Sequence, residues 1–110
     1  MHVNVEVSNL ERALAFYSHL GLETLPRAGT PGRAGAWYRL PDGRELHLSV
    51  GTPKPENRSH FAIRVVDLES ARRIMRDAGA RVETEREIPG MARFFARDPD
   101  GNRIEFVQRL

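Results

Sequence analysis

Four side chains that can bind a metal ion recur along the chain at one fixed spacing. His2 and His60 stand 58 residues apart, and so do His47 and Glu105. Imidazole and carboxylate groups suit borderline or moderately hard ions such as Zn, Ni, Co, Mn and Fe(II). A six-coordinate ion bound by all four would keep two positions for water or a bidentate substrate, which an active site needs and a closed structural site lacks.

This spacing belongs to an internal repeat of the sequence. Residues 2–50 align without a gap on residues 60–108, with 13 identities in 49 positions. Repeats of this length indicate duplicated supersecondary units. We therefore divide the chain into module one (1–50), a polar linker that contains proline (51–58) and module two (59–110). Each module is small for a domain that folds alone, so we predict a single domain, 1–110, with a shared core.

Each module is predicted to fold in the order βαβββ. A strictly alternating strand opens the module, and a helix follows, with Ser8 in a capping box in module one and Asp67 as the cap in module two. Pro-Asp-Gly turns at 41–43 and 99–101 then join the last two strands. The apolar residues of each strand must face the helices, so the four candidate ligands are predicted to share the opposite face.

Several stretches of the sequence resemble the vicinal oxygen chelate superfamily, which includes glyoxalases, bleomycin-resistance proteins and extradiol dioxygenases. They are His2 at the start of the first strand, residues 9–17 (NLERALAFY), residues 60–65 (HFAIRV) and residues 98–105 (DPDGNRIE). The resemblance covers essentially the whole chain. It implies an α+β fold, in which two tandem βαβββ modules form a curled mixed sheet around a cup-shaped site.

The resemblance also implies a set of metal ligands. In the family they lie at the start of each module's first strand and within each module's last strand, which here are His2, His47, His60 and Glu105. Bacterial glyoxalase I commonly has a carboxylate where His47 stands. Glu45 shares the predicted face of His47, so either residue can be the ligand in that strand. Family members usually pair modules between two chains, and open sheet edges favour a dimer, so we expect a homodimer with its site within one chain or between two.

The function that the resemblance implies first is that of a glyoxalase-like, metal-dependent lyase or isomerase acting on a small oxygenated metabolite. A divalent ion (Ni, Co, Zn, Mn or Fe) would chelate two oxygens of the substrate, and Glu105 would also serve as the base for proton transfer. One alternative is an Fe(II) ring-cleaving dioxygenase of the extradiol type. Another is a metal-independent protein that binds a drug, as bleomycin-resistance members do. One scaffold hosts all of these functions, so the fold does not choose among them.

Six further residues are candidates for substrate contact. Adjacent aromatic residues in a strand send one ring to each face of the sheet, so one ring of each pair can line a pocket for an apolar ligand. A repeated arginine can hold a substrate carboxylate or phosphate, or form a structural salt bridge. The six residues are Trp37, Tyr38, Arg39, Phe94, Phe95 and Arg97.

Composition limits the remaining classes of function. The 17 Lys and Arg against 15 Asp and Glu give a formal net charge of +2, and the arginines are scattered, so neither nucleic-acid binding nor membrane binding is predicted. The absence of Cys excludes disulfides and thiolate metal ligands. No apolar run approaches the roughly 20 residues of a membrane span. We therefore expect a cytoplasmic, soluble protein whose partner is a small molecule.

Overall fold

The computed structural model of the protein describes residues 2–26, 34–53, 60–83 and 89–109. The elements of module one are β1 (His2–Val7), α1 (Leu10–Tyr17), a 3-10 helix (Ser18–Leu20), β2 (Glu23–Leu25), β3 (Gly35–Arg39) and β4 (Glu45–Val50). Those of module two are β5 (His60–Arg64), α2 (Leu68–Asp77), β6 (Arg81–Glu83), β7 (Met91–Arg97) and β8 (Arg103–Arg109). Both modules therefore have the predicted βαβββ order. Positions 54–58 of the predicted linker lie outside the described residues.

Both α-helices begin at a side-chain cap. Asn9 Oδ1 accepts a hydrogen bond from the backbone N–H of Arg12 at 3.0 Å, and Asp67 caps α2 in the same way. Asp67 is thus confirmed as the cap of α2, whereas the predicted capping box at Ser8 is wrong. The backbone N–H and the hydroxyl of Ser8 instead donate to the carboxylate of Asp100 in module two.

The strands form two four-stranded mixed sheets, one in each module. Their order is β1-β4-β3-β2 in module one and β5-β8-β7-β6 in module two. In each sheet the first strand of the module pairs in parallel with the last, and the other pairs are antiparallel. The register sets Asn4 opposite His47 and Ala62 opposite Glu105, which repeats the same pairing. The α+β class is therefore as predicted, but β1 and β5 are edge strands of two separate sheets.

The helices and one face of each sheet enclose a shared apolar core. Each Leu, Ile or Phe that is fully buried there contributes about 1.5–3 kcal/mol to the hydrophobic term. The largest fully buried side chains are Val7, Tyr17, Leu40, Leu46, Leu48, Met75, Phe94 and Ile104. Strand alternation sends the intervening residues, including His47 and Glu105, to the opposite face. The helices serve this core, and none in the described part of the chain is long and apolar enough to cross a membrane.

The modules meet where a turn of one lies against the edge strand of the other. In the turn 98–102 of module two, the side-chain amide of Asn102 donates to the carbonyl of Glu6 in β1 at 2.9 Å. In module one, the guanidinium of Arg44 donates to the carbonyl of Ala62 in β5, also at 2.9 Å. Arg44 and Asn102 are equivalent positions of the repeat, but their acceptors are not, because Ala62 corresponds to Asn4 and not to Glu6. The junction therefore follows the internal symmetry of the sequence only in part.

A buried carboxylate strengthens one side of this junction. Asp98 is 5% exposed, and its Oδ2 accepts a hydrogen bond from the hydroxyl of Tyr17 in α1 at 2.8 Å. Its two oxygens also accept from the backbone N–H of Asp100 and from the backbone N–H and side-chain amide of Asn102. Burial, with the negative charge of Asp98, raises the pKa of Tyr17 well above its ordinary value. The phenol therefore remains a hydrogen-bond donor throughout the neutral range.

Candidate functional site

A column of three stacked rings lies on the non-helix face of module one. Its members are His2 of β1, His47 of β4 and Trp37 of β3, and these strands are neighbours in the sheet. The ring centroids of His2 and His47 are 4.4 Å apart at an interplanar angle of 13°, and those of His47 and Trp37 are 4.1 Å apart at 6°. The column forms because Leu46 and Leu48 face the core and turn His47 to the other side.

Glu45 holds the imidazole of His47 from within the same strand. Its Oε1 lies 2.9 Å from His47 Nε2, and this hydrogen bond lowers the pKa of the Glu45 carboxyl group. An ionised carboxylate can only accept hydrogen bonds, so Nε2 carries the hydrogen and a neutral imidazole has its lone pair on Nδ1. A carboxylate in this position is the usual orienting partner of a metal-binding histidine. The two alternative ligands of β4 are therefore bonded to each other.

The equivalent face of module two carries arginines instead of a ring column. Phe95, at the position equivalent to Trp37, is 2% exposed, and the guanidinium carbon of Arg103 lies 3.7 Å from its ring centroid. The guanidinium of Arg93 lies 5.4 Å from the same centroid, and its Nη1 is 3.6 Å from Glu105 Oε2. Alternation in the sequence puts Arg103 on the face of Glu105, but neither arginine is among the candidate site residues predicted from the sequence. Alternation could have found them, because each stands two residues before Phe95 or Glu105 and so shares its face.

The predicted metal ligands are divided between the two modules. His2 and His47 lie side by side in module one, Glu105 lies in module two, and His60 begins β5, with a side chain outside the described part. Among the residues that the structure describes, no three His, Asp or Glu side chains form a group that could hold a metal ion. The types of donor fit a divalent cation, but a single chain does not gather the described donors around one point.

The remaining candidates for substrate contact have partners within the fold. Tyr38 and Phe94, 5% and 0% exposed, lie in the core on the helix side of their sheets, and the other ring of each aromatic pair faces the candidate site. Arg39 and Arg97 each form an ion pair with a glutamate and donate from Nη1 to the carbonyl of the glycine in the following turn. These contacts of Arg39 and Arg97 hold the hairpin turns in place. A contact of either arginine with a substrate stays a prediction.

Known proteins share this architecture. A glyoxalase family protein from Bacillus anthracis is 31% identical with a TM-score of 0.85, over 99% of this chain and 93% of that one. The fosfomycin resistance protein FosX from Listeria monocytogenes is 15% identical with a TM-score of 0.80, over 100% and 90% of the two chains. No curated protein matches the sequence. A family model described as the Glyoxalase/Bleomycin resistance protein/Dioxygenase superfamily matches residues 1–106, and the chain therefore belongs to this superfamily.

Proposed function

We propose that the protein is a metal-dependent lyase or isomerase of the glyoxalase type that acts on a small oxygenated metabolite. The observation that carries this proposal is the pair of imidazoles, His2 and His47, on one sheet face, the second of them oriented by Glu45. The lone pair of an imidazole lies in the ring plane, so the exposed ring of His2 would turn out of the stack to share an ion with His47. The two imidazoles, with Glu45 behind His47, would then supply half of a divalent-metal site. His60 and Glu105 would supply the other half. A bound ion would chelate two substrate oxygens and stabilise negative charge on them.

The junction between the modules supports a site shared by two copies of the chain. Asn102 immediately precedes the residue that pairs with His60, and it contacts Glu6 near the end of β1. His2 lies at the other end of β1, four residues from Glu6, a distance of about 13 Å along a strand. Donors to one ion lie within about 4 Å of each other. A second copy of the chain could bring its module two to module one of the first copy and so cover the edge strands. We therefore propose a homodimer, and we propose that it is cytoplasmic.

Three side chains of the chain have proposed roles besides metal binding. Glu105 is the proposed base that moves a proton between atoms of the substrate, and its ion pair with Arg93 holds the carboxylate on the non-helix face. Trp37 packs flat against His47 and limits the rotation of that imidazole. Phe95 gives the equivalent face of module two an apolar floor beneath the guanidinium of Arg103. These rings would exclude water from the place where the proton moves.

Metal content tests this proposal, measured by mass spectrometry on untagged protein, because an N-terminal His-tag would add ligands beside His2. We expect close to one divalent ion per chain and loss of most of it in His47→Ala and in His60→Ala. His19→Ala is the matched control, since His19 belongs to the 3-10 helix and should leave the metal content unchanged. Protein that retains no metal, and takes up none from solutions of Ni, Co, Zn, Mn or Fe, would contradict the proposal.

A second candidate function, metal-independent binding of a planar aromatic molecule, is favoured by the ring column itself. Each neighbouring pair of rings is within 13° of parallel, and a flat ligand could extend the column at either end. Ligand affinity that survives a chelator and the His60→Ala substitution, but is lost in Trp37→Ala, would establish this function. Affinity or turnover that disappears with the chelator would instead support the metalloenzyme.

A further inference from the structure

A concave site lies on the helix side of the molecule, where the 3-10 helix of module one approaches α2 and β5. This helix-side cleft has a volume of about 260 Å³. Its floor includes Ile63 and Phe106, which are buried core residues facing the helices. Ile74 of α2 forms one wall and is 43% exposed. The cleft is therefore on the opposite side of the module-two sheet from Glu105, and it is separate from the candidate metal site.

Part of the equivalent groove of module one is occupied by protein, and a cleft of about 370 Å³ lined by Phe16, Ala78 and Asp98 remains beside it. There the turn 98–102 of module two lies against the start of α1. Ser8 and Arg12 both bind the carboxylate of Asp100, and Tyr17 binds that of Asp98. The ion pair between Arg12 and Asp100 is 2.8 Å long. In module one, two carboxylates of the turn therefore occupy this part of the groove, and they are bound there by a hydroxyl, a guanidinium and a phenol.

In module two the same three positions carry a different chemistry. Val66, Ser70 and Met75 stand where module one has its hydroxyl, guanidinium and phenol, and all three line the helix-side cleft. Val66 is 94% exposed. The turn residue equivalent to Asp100 is Asp42, which forms its ion pair with Arg44 of its own turn. The part of the groove that acidic side chains occupy in module one is therefore open and mainly apolar in module two.

The lining and the volume together indicate the class of ligand. The carboxylate of Asp67 at the rim is already bound by the Ser70 hydroxyl and by backbone N–H groups of α2. The other titratable side chain of the lining is the imidazole of His19, and most of the remaining lining is apolar, so the cleft favours an uncharged molecule with at most one polar group. A dry apolar cavity of about 150 Å³ can hold benzene, so a space of this larger size suits a substituted ring or a small bicyclic one. We propose that the helix-side cleft is a second binding site, for an uncharged and mainly apolar molecule about the size of indole.

Titration of the full-length protein with indole, followed by amide chemical shifts in NMR, tests this inference. We expect saturable shifts centred on β5 and on the first two turns of α2. The Ala71→Leu substitution should weaken indole binding by about tenfold or more, because Ala71 lines the cleft and three added carbons would fill it. Arg73→Leu is the matched control, since Arg73 lies on the exposed side of the same helix, and it should leave the affinity unchanged.

A second variant keeps the test decisive if Ala71→Leu disturbs the fold. Val66→Asp changes an almost fully exposed side chain at the rim, so the fold should tolerate it, and its carboxylate should weaken the binding of an uncharged apolar ligand several-fold. Shifts confined to the face of Trp37 would overturn the inference, as would folded Ala71→Leu and Val66→Asp proteins that bind indole as tightly as the wild type. Metal removal should not change the result, because no candidate ligand of the metal lines the cleft.

Discussion

On one side of the junction between the modules a phenol meets a carboxylate, and on the other side the equivalent positions hold a thioether and a leucine. Tyr17 and Asp98 are joined by a hydrogen bond of 2.8 Å, whereas Met75 and Leu40 belong to the apolar core, at 0% and 2% exposure. A buried polar pair is directional, and loss of one partner leaves the other unsatisfied, while an apolar contact tolerates changes of detail. Both pairs of equivalent residues are therefore buried, but only the pair Tyr17 and Asp98 is joined by a hydrogen bond.

The non-helix faces differ in the same manner. Module one has a column of rings in which an imidazole is held by Glu45, and module two has an ion pair and arginines packed over Phe95. The repeat position of Glu45 is Arg103, so the sign of the charge is reversed at this one position of the two faces. Arg44 and Asn102 each donate to a carbonyl in the first strand of the other module, while the non-helix faces have diverged. The non-helix faces of the two modules are therefore not duplicates of each other.

The largest loss of stability is expected when Asp98 is replaced by leucine, the residue at its repeat position. Asp98→Leu leaves the Tyr17 hydroxyl and the N–H groups of the turn without their acceptor, and we expect a loss of about 4 kcal/mol in the free energy of unfolding. The double variant Tyr17→Met/Asp98→Leu copies the Met75 and Leu40 side and should recover at least about 1 kcal/mol relative to the sum of the single losses. Urea denaturation measures both. Strictly additive losses would show that the two residues are not coupled.

An intermediate effect is expected at alkaline pH. The pKa of Tyr17 is raised in the folded protein, so folding favours the neutral phenol. This contribution is complete below the unfolded pKa of about 10 and is lost as the pH rises above it. Tyr17→Phe should therefore flatten the decline of stability above that pH. Tyr38→Phe is the control, because burial raises the pKa of Tyr38 without a carboxylate partner, and it should flatten the curve less. If stability declined with pH equally steeply in the two variants, the hydrogen bond between Tyr17 and Asp98 would have no special role in the pH dependence.

The smallest effect is expected at the arginines that fasten the hairpin turns. The side chain of Arg97 is 11% exposed in its ion pair with Glu83, whereas that of Arg39 is 47% exposed in its ion pair with Glu23. We expect Arg97→Gln to cost about 1–2 kcal/mol and Arg39→Gln less than about 0.5 kcal/mol, because solvent screens the second pair. Thermal and urea denaturation of the two variants measure both losses in the free energy of unfolding. A larger loss of stability in Arg39→Gln than in Arg97→Gln would mean that solvent exposure does not determine how much these two ion pairs contribute.

The fold could be predicted because its signals are local and repeated. Alternation in β1 and β5 and the matching turns were sufficient for the βαβββ order in both modules. The cap of α1 could not be chosen in this way, since Ser8 and Asn9 are both good capping residues and the choice depends on Asp100, far along the chain. The same holds for Asp98, which has the sequence pattern of a turn residue but is buried by its contact with Tyr17.

The candidate site could be predicted only in part for the same reason. Alternation correctly placed His47 and Glu105 on the non-helix faces, because the side-chain period of a strand is fixed. The distance between those faces depends on how the modules dock, and no local pattern encodes that docking. The stack of His47 between two other rings was also not predicted, since it needs the order of β1, β4 and β3 in the sheet.

The measurement that tests the shared metal site most directly is the metal content of a mixed dimer. Chains carrying His47→Ala and chains carrying Glu105→Gln are co-expressed with different C-terminal tags that lack histidine, and the heterodimer is isolated through both tags. If each site combines module one of one chain with module two of the other, one of the two sites remains intact, and the heterodimer should bind about half of the wild-type metal while each variant homodimer binds little. A heterodimer with no more metal than the variant homodimers would contradict a site shared between two chains.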